Sequence, residues 1–94
     1  MDDGRLRAVL MAVDRGSFSK AAAELGYTQS AMTHLVNNLE AELGCTLLNR
    51  GSHGVRLSEE GEQLLPYIKS VIDACDALRQ EAASQSRTMS HQLS

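Results

Sequence analysis

Residues 17–44, SFSKAAAELGYTQSAMTHLVNNLEAELG, decide the fold of this 94-residue chain. The small apolar residues around Ala22 predict a short helix that ends at Gly26, because glycine readily takes the left-handed conformation that closes a helix. Thr28 is a good N-cap for a longer helix that ends at Gly44. The apolar side chains of that helix recur at helical spacing: Ala31, Met32, Leu35, Val36, Leu39 and Leu43. A short helix, a tight glycine turn and a second helix together predict a helix-turn-helix.

A further amphipathic helix is predicted upstream of this unit, over residues 4–15. Its apolar positions fall at helical spacing and are Leu6, Val9, Leu10 and Val13. Gly16 ends this helix, and either Ser17 or Ser19 is expected to cap the one that follows.

Two short extended runs after Gly44 predict a β-hairpin. Residues 45–50 and 55–57 flank a glycine-containing turn at residues 51–54. A hairpin in this place lies beside the longer helix of the helix-turn-helix as a wing.

The last third of the chain predicts a long helix, with Ser58 as its N-cap and Pro66 as the expected site of a kink. Apolar residues recur in it at alternating steps of four and three, which is typical of a coiled-coil seam. A single copy would leave this seam partly exposed. We therefore expect a dimer interface formed by Leu64, Ile68, Val71, Cys75 and Leu78. The alternative is that the helix folds back on its own domain.

The predicted fold is mainly α: a winged helix-turn-helix of three helices and a two-stranded wing, followed by a long linker and dimerisation helix. We divide the chain into a winged helix-turn-helix over residues 1–58, a linker helix over residues 59–83 and a polar tail over residues 84–94. The tail lacks periodicity and is interpreted as a frayed end or the start of a linker.

The net charge of −3 counts against nucleic-acid binding, because DNA-binding domains are usually basic. The charge is unevenly spread, however. Residues 58–94 carry six acidic and three basic side chains, whereas residues 27–57 carry two of each. The functional argument therefore depends on the sequence pattern and not on the total charge.

Little in the sequence indicates a secreted or membrane protein, an enzyme or a metal-binding protein. The acidic N-terminus does not resemble a signal peptide, and no apolar run is long enough to span a membrane, so we expect a cytoplasmic protein. Cys45 and Cys75 are interpreted as reduced thiols in the core. The sequence has no catalytic motif and no ligand spacing for a metal, so we expect neither an enzyme nor a cofactor.

Several motifs resemble the N-terminal domain of LysR-type transcriptional regulators. They are GSFSKAA at residues 16–22, TQSAMT at 28–33, LEAELG at 39–44 and VRLS at 55–58. The resemblance covers residues 5–83 in one register without gaps. It implies a bacterial transcriptional regulator that binds double-stranded DNA in a sequence-specific way, with the third helix in the major groove and the wing on phosphates or the minor groove. It also implies a homodimer through the linker helix.

The resemblance assigns DNA contacts to individual residues. Base reading is carried over to five positions of the third helix: Gln29, Ser30, Thr33, His34 and Asn37. His34 and Asn37 depart from the family, which more often has Arg or another basic residue there, so they supply little charge. The alternative is that these residues are merely exposed polar side chains.

Contacts with the DNA backbone are expected from the helix N-termini and the wing. The residues concerned are Ser17, Thr28, Arg50, His53 and Arg56. Thr28 can also serve as a cap alone, and the wing can be a solvated hairpin. The remaining arginines of the first helix, Arg5, Arg7 and Arg15, are expected to be solvated.

A second function remains open at this point. Winged helices can also serve as protein–protein or dimerisation modules with little DNA affinity of their own. Family members continue into an effector-binding domain that these residues lack, so a small-molecule effector is expected only of a full-length form.

Overall fold

The computed structural model describes the backbone of residues 3–93 and the side chains of residues 3–85. It contains three helices, a two-stranded hairpin and a long last helix. In chain order these are α1 (Gly4–Arg15), α2 (Phe18–Leu25), α3 (Gln29–Leu43), β1 (Leu48–Gly51), β2 (Gly54–Leu57) and α4 (Glu59–Leu93). The predicted mainly-α winged helix-turn-helix with a long following helix is confirmed.

Local signals set the ends of the first three helices. Each ends at a glycine in the left-handed region, as at Gly26, where φ is 79°. Ser17, and not Ser19, caps α2, because its Oγ accepts a hydrogen bond from the backbone N–H of Lys20 at 3.3 Å. Thr28 Oγ1 likewise accepts from the N–H of Ala31 at 3.0 Å. The turn between α2 and α3 is therefore defined on both sides.

One hydrophobic core holds the three helices, the wing and the start of α4 together. Its largest fully buried side chains are Met32, Leu47, Val9 and Val36. Burying a side chain of this size stabilises the fold by about 1.5–3 kcal/mol. Ile68 and Ile72 of α4 belong to the same core, so the core extends past the boundary predicted at residue 58.

The wing is an antiparallel pair in which Leu48 faces Leu57 and Gly51 faces Gly54 across a two-residue turn. The backbone N–H of Val55 donates to the carbonyl oxygen of Gly16 at 3.1 Å, which ties the wing to the α1–α2 corner. A Cβ at residue 54 would lie 2.6 Å from the same oxygen, so only glycine allows this approach. The wing is thereby fixed beside the N-terminal ends of α2 and α3.

Glu40 fixes the other end of the wing. Its Oε2 accepts hydrogen bonds from the backbone N–H groups of Leu47 at 2.6 Å and Leu48 at 3.1 Å. These donors lead into β1 and have no ladder partner of their own at this point, and a buried N–H without an acceptor is costly. The carboxylate of α3 therefore positions the first strand.

The helix α4 is longer than the sequence predicts. Ser58 caps it by accepting from the N–H of Gly61 at 2.9 Å, as expected. The helix then continues through Pro66 and through residues 84–93, where a polar tail was predicted. No glycine or proline follows Pro66, and residues such as Gln and Ala favour the helix, so no local signal ends it. The side chains of the predicted tail beyond residue 85 lie outside the described residues.

The predicted seam of α4 is divided between two faces. Ile68, only 4% exposed, is buried in the core of its own chain, and Leu64 packs against that core. Cys75 is half-buried. A different set of side chains is exposed and forms what we term the linker stripe: Tyr67, Val71 and Leu78. The expectation that all five seam residues face a second copy is therefore corrected for Ile68, which has almost no free surface.

The expectation that the arginines of α1 are solvated holds for Arg15, which is exposed, but Arg5 and Arg7 are half-buried and all three form ion pairs. Arg5 pairs with Glu42 at 3.0 Å, and Arg15 pairs with Glu24 at 3.1 Å. Arg7 donates from Nε to Asp3 at 2.6 Å and from its Nη2 to Asp76 of α4. Glu42 and Asp76 lie far along the chain from their arginines, so the sequence alone carries no sign of these two pairs.

Asp3 is the centre of an ionic cluster that joins α1 to α4. This carboxylate is buried, and it accepts from Arg79 Nη2 at 2.8 Å as well as from Arg7. Hydrogen bonds from Arg79 and Arg7 hold the pKa of Asp3 well below its usual range. The cluster ties the linker helix to the helix-turn-helix.

Among the described residues no helix is both long enough and apolar enough to cross a membrane. Cys45 and Cys75 are free thiols, each half-buried, and Cys45 packs against the core.

Candidate nucleic-acid interface

The five residues predicted to read bases lie on one face of α3. Each of them has another member of the set three or four residues away, which places them together on one side of a helix. They line one open depression in the surface, and we term them the reading face: Gln29, Ser30, Thr33, His34 and Asn37. All are exposed except Thr33, which is half-buried. The reading face contains neither an acidic residue nor a Lys or Arg.

The first residue of the reading face is held by the preceding helix. Ser19 Oγ donates a hydrogen bond to Gln29 Oε1 at 2.9 Å. Ser19 occupies the second position of α2, next to the buried Phe18. The helix-turn-helix angle therefore also sets the direction of the Gln29 side chain. From the sequence Ser19 was expected only as a possible cap, because its contact with Gln29 spans the turn and has no local signature.

The wing is held to the reading face through Arg50. Its Nη2 donates to Asn37 Oδ1 at 2.8 Å, and its guanidinium lies 4.5 Å from the centroid of the Phe18 ring. A guanidinium over an aromatic face is attracted by the ring electrons. Neither partner is acidic, so the positive charge of Arg50 is not neutralised. Arg50 thus has a structural role that the sequence analysis did not predict.

A second depression continues from α3 to the wing. It is lined by Ser17 and its neighbours at the α1–α2 corner, by Gln29 of α3, and by Arg50 and Gly54 of the wing. The N-termini of α2 and α3 both open here, and helix N-termini attract anions. The surface therefore runs without interruption from Asn37 to the wing.

The charges near this surface differ from the charge of the whole chain. Lys20 and Arg56 are exposed and make no ion pair with another residue of the described part. The arginines of α1 and Arg79 of α4, by contrast, are all paired with carboxylates. Arg50, which lines the second depression, keeps a positive charge at this surface despite the net charge of −3. His53 adds an exposed polar side chain at the tip of the wing.

The arrangement is suited to binding an extended anion. A helix with exposed amide and hydroxyl groups can hydrogen-bond to base edges, and flanking cations and helix N-termini can hold phosphates. Among residues 3–85 no three His, Cys, Asp or Glu side chains are grouped so as to hold a metal ion.

Comparisons with known proteins agree with this geometry. Residues 4–62 match the family described as bacterial regulatory helix-turn-helix protein, lysR family. The uncharacterized HTH-type transcriptional regulator YusT of Bacillus subtilis (strain 168) is 43% identical over 76 residues, which are 81% of this chain and 26% of YusT. This chain therefore spans about a quarter of the length of that relative.

Solved structures include two that cover the same extent of chain. The crystal structure of a BenM_DBD/catB site 1 DNA complex is 31% identical with a TM-score of 0.82, and covers 92% of this chain and 97% of that one. The crystal structure of a CbnR_DBD-DNA complex is 27% identical with a TM-score of 0.76, and covers 89% of this chain and 99% of that one. Both matches extend past the helix-turn-helix into α4.

Proposed function

Because this chain belongs to the LysR family of bacterial helix-turn-helix regulators, we propose that it binds double-stranded DNA sequence-specifically as part of a transcriptional regulator. The observation that carries the proposal is the reading face, whose five polar side chains converge on one depression beside Arg50, a cation without an acidic partner. The BenM and CbnR structures, which are DNA complexes, support it. We place the protein in the bacterial cytoplasm, where its DNA would lie.

In this proposal α3 enters the major groove and the reading face contacts base edges. The backbone is held by the helix N-termini and the wing, through Ser17, Thr28, Arg50, His53 and Arg56. Arg56 is the side chain best placed for a phosphate, because it is exposed and unpaired among the described residues. Arg50 also donates to Asn37, and its remaining N–H groups are the ones proposed to contact a phosphate.

We further propose that the chain acts as a homodimer through α4. The linker stripe leaves Tyr67 70% and Leu78 56% exposed in a single copy, and pairing two stripes would bury both. Residues 1–58 then form a reading head, and α4 sets two heads apart on a two-fold related site. The stripe replaces the predicted five-residue seam as the proposed interface, with Cys75 at its edge.

A protein–protein module with little DNA affinity is the less favoured function. It would account for the linker stripe, but it leaves the reading face without a role. We assign no catalytic activity to the described residues and no small-molecule effector, since an effector belongs to a longer form.

The proposal is tested by selecting duplexes from a random pool with the purified chain at low salt. We expect a recovered motif with two related halves. Affinity for it should fall steeply with salt, with a logarithmic slope of about −5 if Lys20, Arg50 and Arg56 of both copies each release a counterion. The variant Gln29→Ala should bind but lose preference at one base pair in each half. Absence of any bound duplex at low salt would remove DNA binding from this chain.

A further inference from the structure

Both amide side chains of the reading face have their carbonyl oxygen engaged inside the protein. Asn37 Oδ1 accepts from Arg50, and Gln29 Oε1 accepts from Ser19. The orientation of Asn37 is fixed by chemistry, because a guanidinium can only donate. In a primary amide the nitrogen lies on the opposite side of the terminal carbon from the oxygen. In each residue the NH₂ group is therefore the part that remains free.

These contacts restrict which bases the amides can recognise. The usual pairing of Asn or Gln with adenine is bidentate, because the amide oxygen accepts from N6 while the amide nitrogen donates to N7. An oxygen that already accepts from Ser19 or Arg50 has one lone pair engaged, so it is less available to accept from N6. A free NH₂ group alone pairs with acceptors, and the major-groove edges that present only acceptors are N7 and O6 of guanine and O4 of thymine.

We propose that Ser19 and Arg50 are specificity-determining residues, which orient Gln29 and Asn37 as donors so that each half-site presents guanine or thymine, and not adenine, to them. The inference rests on the proposed DNA binding and deepens it by naming the base-edge chemistry. Ser19 acts through Gln29 without itself touching a base.

The geometry around each orienting residue supports this role. Ser19 has a short side chain with a single rotatable bond to its hydroxyl, and it follows Phe18, which is buried at the start of α2. Arg50 is restrained twice, by Asn37 at 2.8 Å and by the Phe18 ring at 4.5 Å. Phe18 thus packs at the point where both orienting residues are held. A held donor loses less freedom on binding than a mobile one.

The experiment compares motifs selected from random duplexes by the wild type, Gln29→Ala, Ser19→Ala and Ser19→Thr. Gln29→Ala identifies the base pair that Gln29 reads, as the one whose preference disappears. The wild type should select guanine or thymine there. Ser19→Ala frees the amide to rotate, so the preference over adenine should fall by about tenfold, the scale of one bidentate contact. Ser19→Thr retains the hydroxyl and should keep the wild-type motif.

A second, independent experiment uses Arg50→Ala, with Arg56→Ala as its matched control. Arg50→Ala should weaken binding and also relax the base preference at a second position, the one that Asn37→Ala identifies. Arg56→Ala removes a charge from the same wing without touching Asn37, so it should weaken binding to all sequences alike.

The outcomes distinguish the orienting role of Ser19 from DNA binding itself. Adenine at the Gln29 position in the wild type, or an unchanged motif in Ser19→Ala, overturns the orienting role while DNA binding stands. A uniform loss of affinity in Ser19→Ala with the same motif also overturns it, because Ser19 would then act on a phosphate. Failure of the wild type to bind any duplex removes both the proposed function and this inference.

Discussion

The reading face of α3 and the linker stripe of α4 are both exposed, and they differ in kind. The reading face is polar, contains no charged residue among its five members, and has its amides held by internal hydrogen bonds. The linker stripe is apolar and lies on a helix whose acidic residues, from Glu59 to Glu81, outnumber its basic ones. The reading face therefore offers hydrogen-bonding groups, whereas the linker stripe offers apolar surface.

The reading face can distinguish one DNA sequence from another, but it contributes little to the strength of binding. Hydrogen bonds to base edges distinguish sequences, but most of the attraction to DNA comes from cations that release counterions. One head offers only Lys20, Arg50 and Arg56 for this purpose. Pairing two heads through α4 doubles that number and makes the second binding event intramolecular. On this view a monomer of this chain discriminates sequences yet binds them weakly.

The largest expected effect comes from breaking the linker stripe. The double variant Val71→Asp and Leu78→Asp places two carboxylates where two copies would pack, and both positions are exposed, so the head should still fold. Affinity for a two-half site should fall by about 100-fold or more, since the gain from linked sites is lost. Sedimentation should show a monomer.

Asp73→Asn is the matched control for this experiment, because residue 73 is exposed on α4 but lies outside the linker stripe. It should leave the dimer intact. A double variant that still sediments as a dimer would show that α4 is not the interface.

The two faces of α4 can be distinguished by a pair of truncations. Ile68→Ala removes a side chain buried in the core, and should lower the free energy of unfolding by about 2–5 kcal/mol. Leu78→Ala, at a position 56% exposed, should lower it by far less. Both truncations are made in a Val71→Asp background, whose carboxylate in the linker stripe disfavours the dimer. Urea unfolding followed by circular dichroism measures both. Equal losses would mean that the two faces are not distinct.

The sequence predicted the fold well because its helix boundaries have local causes. Ser17, Thr28 and Ser58 act on backbone N–H groups three residues away, and Gly26 closes α2 through its own backbone. Such contacts are contained within a few residues. The five members of the reading face were likewise predictable, since helical spacing alone brings them together.

Contacts between residues that are far apart in the sequence could not be predicted in the same way. The apolar residues of α4 cover a wide arc, and helical periodicity does not say which part of that arc faces the chain's own core. Ile72, which is buried, was missed, whereas Ile68 was assigned to the dimer. The contacts of Arg7 with Asp76 and of Arg50 with Asn37 depend on tertiary packing, so no local sequence pattern predicts them.

A smaller effect is expected from Arg56, the wing cation that forms no ion pair with another described residue. Arg56→Ala removes one cation from each head, so the slope of log affinity against log salt for the dimer should become less negative by about two. The selected motif should stay the same. Fluorescence anisotropy over a series of salt concentrations measures the slope. A change of motif without a change of slope would assign Arg56 to base reading and not to the backbone.

The smallest effect concerns the ionic cluster that joins the reading head to α4. Hydrogen bonds from Arg79 and Arg7 lower the pKa of Asp3 in the folded state, so the cluster stabilises the fold fully above the unfolded pKa of about 3.9. That contribution is lost as the pH falls further, because the folded protein then gains the proton less readily than the unfolded chain does. Unfolding measured from pH 6 downward should therefore show a steeper loss of stability for the wild type than for Asp3→Asn.

The comparison with Asp3→Asn isolates this carboxylate, because the other acidic residues titrate in both proteins. Asparagine keeps an acceptor for one arginine but not the charge, so Asp3→Asn should be less stable near neutral pH and the two curves should converge in acid. Parallel curves would mean that Asp3 contributes no charge-dependent stability.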